Sequence, residues 1–385
     1  MDESTKFDDI RCFNNSEIKQ TFERITKEDA FQGVIKFVFP DKPTEAIIEK
    51  FSHIKTIEEF QIGWVYPFLK SIEEKATQGI TSDGLDLIKK HKSCLFMSNH
   101  RDIVLDSAML CKCLIAKGMD TVEIAIGDNL LIQPWITDFV RANKSFIVKR
   151  GGGVRELLVN SQKLSAYIEH TLNEKESSVW IAQREGRCKN SDDRTQESLL
   201  KMLNMGGKQG NFIDNIQSLN ICPVSISYEY DPCDYLKAKE FQQKRDDENY
   251  KKSPQDDLLN MQTGILGTKG RVKFRFMPSI NEQLVAIKDL GKNEQIIATA
   301  NLIDNYIHKG YEIYSGNKVA YDLLFQTDKF TSEYSIEEKN TFENYIANQI
   351  TKIDLENKDE NFLRTKLLEM YANPLKNKLI ADSSK

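Results

Sequence analysis

Hydrophobic residues change their spacing twice along the chain. Up to about residue 90, apolar residues recur every three to four positions, for example over 16–25 and 44–54, which predicts helices. Between about 92 and 290, short apolar and β-branched runs alternate with helical stretches, and after 291 the helical spacing returns. We therefore divide the chain into a helical N-terminal region (1–90), an α/β domain (91–290) and a helical C-terminal extension (291–385).

The middle region holds six candidate strands. Each is a short run rich in apolar and β-branched residues, and stretches of helical spacing lie between the first four. The candidates are 94–98, 122–127, 145–149, 179–183, 222–228 and 272–277. Alternation of strand and helix predicts an α/β fold with a central, largely parallel sheet that is flanked by helices.

Composition narrows the class of protein. Of 385 residues, 40% are hydrophobic and 29% are charged, which excludes fibrous and wholly disordered chains. The formal net charge of −5 argues against a nucleic-acid partner, because phosphate neutralisation requires a basic excess. Segment 141–155 departs from this balance, since it contains five Lys and Arg residues and no acid. A local anion site is therefore expected there.

Cysteine content and the first residues bear on the compartment. The seven cysteines are an odd number and do not suggest a set of paired disulfides. The chain opens with acidic and polar residues rather than a signal peptide. We therefore expect a cytoplasmic protein with reduced cysteines. No Cys and His spacing typical of a metal site is present. No apolar run approaches the roughly 20 residues of a membrane-spanning helix. Any membrane contact is expected at the surface, on the inner face of the cytoplasmic membrane.

Charged residues and glycines follow three of the predicted strands where those strands end. The segments are 99–102 (Asn-His-Arg-Asp), 150–153 (Arg-Gly-Gly-Gly) and 184–187 (Arg-Glu-Gly-Arg). Ligands of open α/β sheets bind beyond the carboxyl ends of the strands. We therefore expect the three segments to meet at one ligand-binding edge.

His100 is the candidate base at this edge. Asp102 has an ordinary structural role available as N-cap of the following helix, and Asp106 gains from the dipole of that helix. However, an Asp within an apolar segment is expected to have a partner, and His100 is the nearest candidate. A carboxylate that accepts from one imidazole nitrogen leaves the other free to deprotonate a hydroxyl. A surface His with ordinary hydrogen bonds is the alternative interpretation.

Cations at the same edge favour a phosphate ligand. Lys149 and Arg150 precede three glycines, which let the backbone approach a ligand closely, and the helix that begins near Val154 adds N–H groups. Arg187 follows Gly186 after the next strand along the chain. Two converging arginines hold a phosphate bidentately. Ordinary flexible or solvated turns are the alternative interpretation of both segments.

Four sequence blocks resemble the glycerolipid acyltransferases, the family that includes glycerol-3-phosphate and 1-acylglycerol-3-phosphate acyltransferases. The first, NHRDIVLD (99–106), is similar to the family's histidine–aspartate motif. The others are SFIVKR (145–150), REGR (184–187) and ICPVSISY (221–228). Each block alone is weak, but all four follow the family's order.

The resemblance implies a role for each matched residue. His100 is the general base, and an aspartate orients it. The family's motif has four residues between His and Asp, whereas five separate His100 from Asp106 here; Asp106 is favoured, with a one-residue bulge, and Asp102 is the alternative. The acceptor's phosphate is held by Lys149, Arg150 and Arg187, in a pocket shaped by Glu185 and Gly186, and Pro223 positions the wall of an acyl-chain channel.

The implied reaction transfers a fatty acyl group from acyl-coenzyme A or acyl carrier protein to a glycerol hydroxyl of 1-acylglycerol 3-phosphate, in phospholipid synthesis. The family uses no metal and no redox cofactor. Glycerol 3-phosphate and a lyso-aminolipid are alternative acceptors, and a thioester hydrolase and a non-catalytic lipid- or anion-binding protein are alternative functions. Lipid substrates also predict membrane contact, through apolar residues of 63–69 or 131–140, although both segments are typical of core helices.

Overall fold

The computed structural model describes residues 5–89 and 92–384, and for residue 37 only the backbone. The boundary placed between residues 90 and 91 lies outside the described residues, as does His91. The division into three regions therefore stays a prediction. The fold class is confirmed, because a largely parallel sheet lies at the centre and helices flank it.

Seven strands form one sheet within the described part of the chain. They are β1 (Ile80–Asp83), β2 (Leu95–Ser98), β3 (Glu123–Gly127), β4 (Ser145–Val148), β5 (Val179–Ala182), β6 (Ile221–Tyr228) and β7 (Val272–Phe276). Their order is β1-β7-β6-β2-β5-β3-β4. All neighbours are parallel except β6 and β7. The carboxyl ends of β6, β2, β5, β3 and β4 therefore share one edge.

Strand β1 corrects the expectation of an entirely helical N-terminal region. Its four residues alternate between half-buried and exposed, and they pair with residues 272–275 of β7. An edge strand that contains one strongly apolar residue, Ile80, has no hydrophobic pattern of its own. Pairing with β7 therefore decides its conformation, as is common for strands. All six strands predicted from the sequence are present.

Helices cover both faces of the sheet and extend beyond its two sides. In chain order they are α1 (Asn15–Ile25), α2 (Asp29–Val38), α3 (Thr44–Ser52), α4 (Ile57–Phe60), α5 (Tyr66–Ala76), α6 (Leu105–Ala116), α7 (Pro134–Ala142), α8 (Val154–Asn173), α9 (Glu197–Leu203), α10 (Phe212–Ser218), α11 (Asp234–Asp246), α12 (Pro254–Leu266), α13 (Asn281–Val285), α14 (Lys292–Lys309), α15 (Ser315–Phe325), α16 (Ile336–Thr351) and α17 (Glu360–Ser383).

Alternate residues of the central strands face two hydrophobic layers. Leu95 and Met97 of β2 pack with α8, α9, α10 and α14 on one face. Phe96 of β2 and Trp180 of β5 pack with α5 and α6 on the other. Both faces of these strands are buried, which explains why their sequences are continuous apolar runs rather than alternating ones.

A separate cluster of aromatic residues joins α1, α2 and α3 to α7. Trp64, from segment 63–69, lies 4.1 Å from Phe51 between ring centroids. Trp135, from segment 131–140, lies 5.7 Å from Phe31. Both tryptophans are partly buried against this cluster. The largest side chains of the two segments proposed for membrane contact therefore pack against the protein itself.

Candidate active site

The His100 loop leaves the carboxyl edge of the sheet between β5 and β6. In the parallel register, Ser98 of β2 lies beside Ala182 of β5 and Val224 of β6. The N–H of Gln183 donates to the carbonyl of Ser98 at 2.8 Å. The loop that carries His100 therefore begins between the REGR loop and the end of β6.

His100 and Asp106 form a hydrogen-bonded pair at this edge. His100 Nδ1 lies 2.7 Å from Asp106 Oδ2. The Asp106 side chain is fully buried, while that of His100 is 15% exposed. A neutral imidazole that donates from Nδ1 carries its lone pair on Nε2. This arrangement leaves Nε2 to accept a proton from a bound hydroxyl.

Further donors fix the Asp106 carboxylate. The backbone N–H groups of Arg101 and Asp102 donate to Oδ2 at 2.6 Å and 3.0 Å. The hydroxyl of Tyr228 donates to Oδ1 at 3.2 Å. Burial, and then the neighbouring Asp106, raise the pKa of Tyr228 well above its ordinary value, so the hydroxyl keeps the proton that it donates. The loop between His100 and Asp106 thus wraps its own N–H groups around the carboxylate, which accommodates the additional residue.

Asp102 has a structural role at the start of α6, although the N-cap residue itself is Val104 and not Asp102. Its Oδ1 accepts from the N–H groups of Val104 and Leu105, both at 2.8 Å, and so caps the start of α6. Burial, and then the charge of Asp106, raise the pKa of Asp102. Of the two candidate aspartates, Asp106 is the one whose carboxylate contacts His100.

Asn99 and Trp180 hold the end of β2 in place. The amide of Asn99 donates to the carbonyl of Ile226 at 2.9 Å and accepts from the N–H of the same residue at 2.8 Å, so it continues the pairing between β2 and β6. Trp180 Nε1 donates to Ser98 Oγ at 3.0 Å, and its ring lies edge-on to His100 at 5.6 Å. The residues before His100 are therefore as restrained as those after it.

Arg101 connects the first block to the loop that follows the third. Its guanidinium is buried, forms an ion pair with the buried Asp193 at 2.8 Å and lies 5.7 Å from the ring of Tyr311. The hydroxyl of Tyr311 also donates to Asp193, at 2.7 Å. Breaking such a buried pair leaves an uncompensated charge. Arg101 is therefore a residue that positions the His100 loop.

Arg187, of the third block, lies beside the buried part of the site. It is half-buried, and Gly186 before it has a φ of +66°, a conformation that favours glycine. Arg187 Nη2 donates to Asn260 Oδ1 of α12 at 3.1 Å. Its Nη1 is buried and has no hydrogen-bond partner within the described residues. This nitrogen is therefore available to an anionic ligand.

Lys149, Arg150 and Glu185 lie at the exposed rim rather than beside His100. Lys149 Nζ is bonded to Asp9 of the N-terminal segment at 2.5 Å. Arg150 lies 3.5 Å from Glu185, and its backbone N–H donates to Asp128 at 3.3 Å. The structure thus joins the second and third blocks through Arg150 and Glu185, and it directs Lys149 elsewhere.

Pro223 lies inside the sheet. It is buried in β6, beside Met97 of β2, and its carbonyl accepts from the N–H of Met277 at 2.9 Å. Its neighbours are thus backbone and core side chains of the central strands. A role in an acyl-chain channel stays a prediction.

Helix α12 covers the site, a role that its sequence does not predict. Its only fully buried residues are Asn260, which contacts Arg187, and Gly264. A Cβ atom at Gly264 would lie 2.0 Å from Asp102 Oδ2, so this close approach requires glycine. A glycine within a helical segment was the one available signal. The contact of Tyr228, in the fourth block, with Asp106 likewise has no signal in the sequence.

Comparison with known proteins agrees with these four blocks. The family model described as Acyltransferase matches residues 79–227. The chain carries an acyltransferase-family domain. The match extends from the start of β1 almost to the end of β6 and includes His100, Asp106, Arg187 and Pro223. The predicted acyltransferase relationship is thereby confirmed for this part of the chain, and α12 lies outside the matched segment.

Solved structures are also similar to this chain, among them the following one. It is the 1-acyl-sn-glycerophosphate (LPA) acyltransferase PlsC from Thermotoga maritima, with a TM-score of 0.40 and 11% identity. The similarity covers 78% of this chain and 98% of that one. A search of curated protein sequences found no significant match. Among the described residues, no helix has the length and apolarity required to cross a membrane.

Proposed function

We propose that this protein is an O-acyltransferase that moves a fatty acyl group from a thioester donor to the free glycerol hydroxyl of 1-acylglycerol 3-phosphate. The observation that carries the proposal is the 2.7 Å contact between His100 Nδ1 and the buried Asp106, at the ligand-binding edge of an acyltransferase-family domain. The donor is acyl-coenzyme A or acyl carrier protein. The proposed reaction requires no cofactor and no metal.

His100 performs the proton transfers of this reaction. Its Nε2 takes the proton of the acceptor hydroxyl while the oxygen attacks the thioester carbonyl. The tetrahedral intermediate collapses with cleavage of the carbon–sulfur bond, and the same nitrogen returns the proton to the departing thiolate. Asp106 stabilises the imidazolium that forms between these steps and prevents rotation of the ring. No covalent acyl-enzyme is formed.

Arg187 is the proposed main ligand of the acceptor's phosphate. Its unpartnered Nη1 is buried beside the site, and charge-assisted hydrogen bonds to phosphate are strongest where water is excluded. Arg150, paired with Glu185, takes a secondary part at the rim. Lys149 has the smallest part, because Asp9 already neutralises it. A buried cation favours a phosphorylated acceptor over a lyso-aminolipid.

The acyl chains and the membrane complete the proposal. Pro223 would help to form the wall against which the acyl chain lies. The acceptor is a membrane lipid, so the protein is proposed to contact a membrane at its surface, from the cytoplasmic side.

Thiol release from palmitoyl-coenzyme A or palmitoyl-acyl carrier protein tests the proposal directly. Release is followed with lysophosphatidate, with glycerol 3-phosphate, or without an acceptor, for the wild type and for His100→Ala. We expect release that requires lysophosphatidate and falls at least about 1000-fold in the variant. Dependence on glycerol 3-phosphate would indicate the first acylation step. Release without an acceptor would indicate a hydrolase, and no release with either donor would indicate a binding protein.

A further inference from the structure

The first half of α8 has no contact with the hydrophobic core. The helix runs over twenty residues, yet its buried positions begin at Leu164. Residues 154–163 are all exposed or half-buried. Ten residues of α-helix are about 15 Å long. A segment of this length therefore lies at the surface, directly after the second block.

This segment carries a group of exposed aliphatic side chains, here called the α8 stripe: Val154, Leu157 and Leu158. Val154 is 87% exposed, Leu157 39% and Leu158 48%. Single exposed aliphatic residues are ordinary, but a contiguous apolar patch marks an interaction site. Three such residues on adjacent turns of one helix face form a patch of this kind.

The α8 stripe continues the core-facing side of the helix. Val154, Leu157 and Leu158 have the i, i+3, i+4 spacing of one helix face, and the same face later carries Leu164 and Ile168 in the core. The sequence therefore has the pattern of a helix that is buried along its full length. The sheet supplies a partner for its second half only.

Positive charge accompanies the α8 stripe. Arg155 is exposed on its flank. Lys149 and Arg150 precede it across three exposed glycines, but they are paired with Asp9 and Glu185, so Arg155 supplies the main charge of this surface. The acidic residue of this turn, Glu156, lies on the opposite side of the helix, folded back against Gly152. Aliphatic residues bordered by Lys and Arg are typical of helices that bind an anionic lipid interface.

The position of the α8 stripe relates it to the site. Helix α8 begins at the carboxyl end of β4, the same edge at which His100 follows β2. Arg150 of the connecting loop contacts Glu185 of the third block at 3.5 Å. The stripe and the acceptor pocket therefore lie on one continuous edge of the domain.

We propose that the α8 stripe is a docking surface for an anionic phospholipid bilayer. Val154, Leu157 and Leu158 enter the apolar part of the interface, and Arg155 contacts the lipid phosphates. Docking there brings the catalytic edge to the membrane surface. The inference rests on the proposed function in one respect: a lipid substrate explains why this edge should contact a membrane.

Vesicle sedimentation tests the surface in the full-length protein. The probes are phosphatidylcholine vesicles with and without about 25 mol % phosphatidylglycerol. Val154→Ser combined with Leu158→Ser should weaken binding to anionic vesicles at least about tenfold. Arg155→Glu should weaken binding to the anionic vesicles and leave the small affinity for neutral ones unchanged. Ile336→Ser combined with Ile380→Ser is the matched control, because it removes two equally exposed aliphatic residues elsewhere.

Two further measurements separate the possible failures. Equal vesicle binding by the wild type and the stripe variant would overturn the docking surface, and so would a wild-type dimer, seen by light scattering, that the stripe variant converts to a monomer. Acyl transfer to a short-chain lysophosphatidate dissolved as monomers should be unchanged in the stripe variant. Loss of transfer by the wild type in that assay would contradict the proposed function alone, since vesicle binding requires no turnover.

Discussion

The first block (99–106) and the loop at the end of the second block (149–153) both follow parallel strands at the same edge, but the structure holds them in opposite ways. In the first, Asp106 is fully buried and accepts from a side chain and two backbone groups of its own loop. In the second, residues 150–153 are exposed, three of the four are glycines, and Lys149 and Arg150 contact acidic residues at the surface.

This difference follows from what each block has to do. Proton transfer requires the base and its orienting carboxylate to be held to within a fraction of an ångström. Attraction of a phosphate or of a membrane surface acts over several ångströms and tolerates motion. We therefore expect substitutions in the first block to reduce turnover sharply, and those in the second to have small effects on the reaction.

The largest difference is expected between the two aspartates of the first block. Asp106→Asn should lower kcat about 1000-fold, because an amide at this position presents the wrong partner to the imidazole. Asp102→Asn should keep activity within about tenfold, because the amide oxygen can still cap α6. Steady-state kinetics on both variants checks this. A larger loss in Asp102→Asn than in Asp106→Asn would exchange their roles.

The sequence was sufficient for the parts of the fold that have a strong local pattern. The central strands, such as β2 and β6, are buried on both faces and are rich in apolar residues, whereas β7 alternates buried apolar residues with half-buried charged ones. Both patterns could be located from spacing alone. The edge at which His100, Arg150 and Arg187 meet follows from parallel topology. Strand β1 has no comparable pattern, since only Ile80 among its residues is strongly apolar, and it forms by pairing with a segment nearly 200 positions away.

Contacts between distant segments could not be predicted in the same way. Asn260 reaches Arg187 because α12 folds back over the edge, and the stretch before it is simply polar in sequence. Asp9 binds Lys149 across 140 positions, and no pattern indicates that pairing. Because of the additional residue between His100 and Asp106, both Asp102 and Asp106 were candidates for the partner of His100. Only the conformation of the loop in the folded protein distinguishes them.

Arg187 is expected to determine acceptor affinity. Arg187→Ala should raise KM for lysophosphatidate about 30-fold with a small change in kcat, because a buried charge-assisted bond to phosphate is lost. Arg187→Lys should recover little, since an ammonium group lacks the planar fork. Asn260→Ala should raise KM a few-fold, because Arg187 loses the contact that directs it. An equal rise in KM for an acceptor without phosphate would contradict this role.

Two glycines provide a matched test of rigidity, because Gly264 of α12 packs against the first block and Gly151 lies in the loop that follows the second. Gly264→Ala places a Cβ atom against Asp102, whose carboxylate is already fixed as a cap, and should cost about 1–3 kcal/mol of unfolding free energy. A Cβ atom at Gly151 would have open space around it, and the backbone there is not left-handed. Gly151→Ala should therefore change the unfolding free energy by almost nothing. Chemical denaturation of both variants gives the comparison. Similar losses in both would show that the second block is as closely packed as the first.

The smallest effect is expected from Lys149. Burial tends to raise the pKa of Asp9, but hydrogen bonds from Lys149 and Lys163 outweigh it and lower that pKa from 3.8 to about 2. A lowered pKa in the folded state means that the ion pair adds stability above about pH 4 and loses it as the pH falls towards 2. The pair is well exposed, so Lys149→Ala should cost less than about 0.5 kcal/mol at pH 7.

The difference in unfolding free energy between the wild type and Lys149→Ala should shrink as the pH falls below about 4. Denaturation series between pH 7 and pH 3 measure it, and KM for lysophosphatidate should change less than about threefold. A large rise in KM would mean that Lys149 leaves Asp9 when the acceptor binds. The loop at the end of the second block would then take a direct part in phosphate recognition. It would differ from the first block only in the effect of substitutions on turnover.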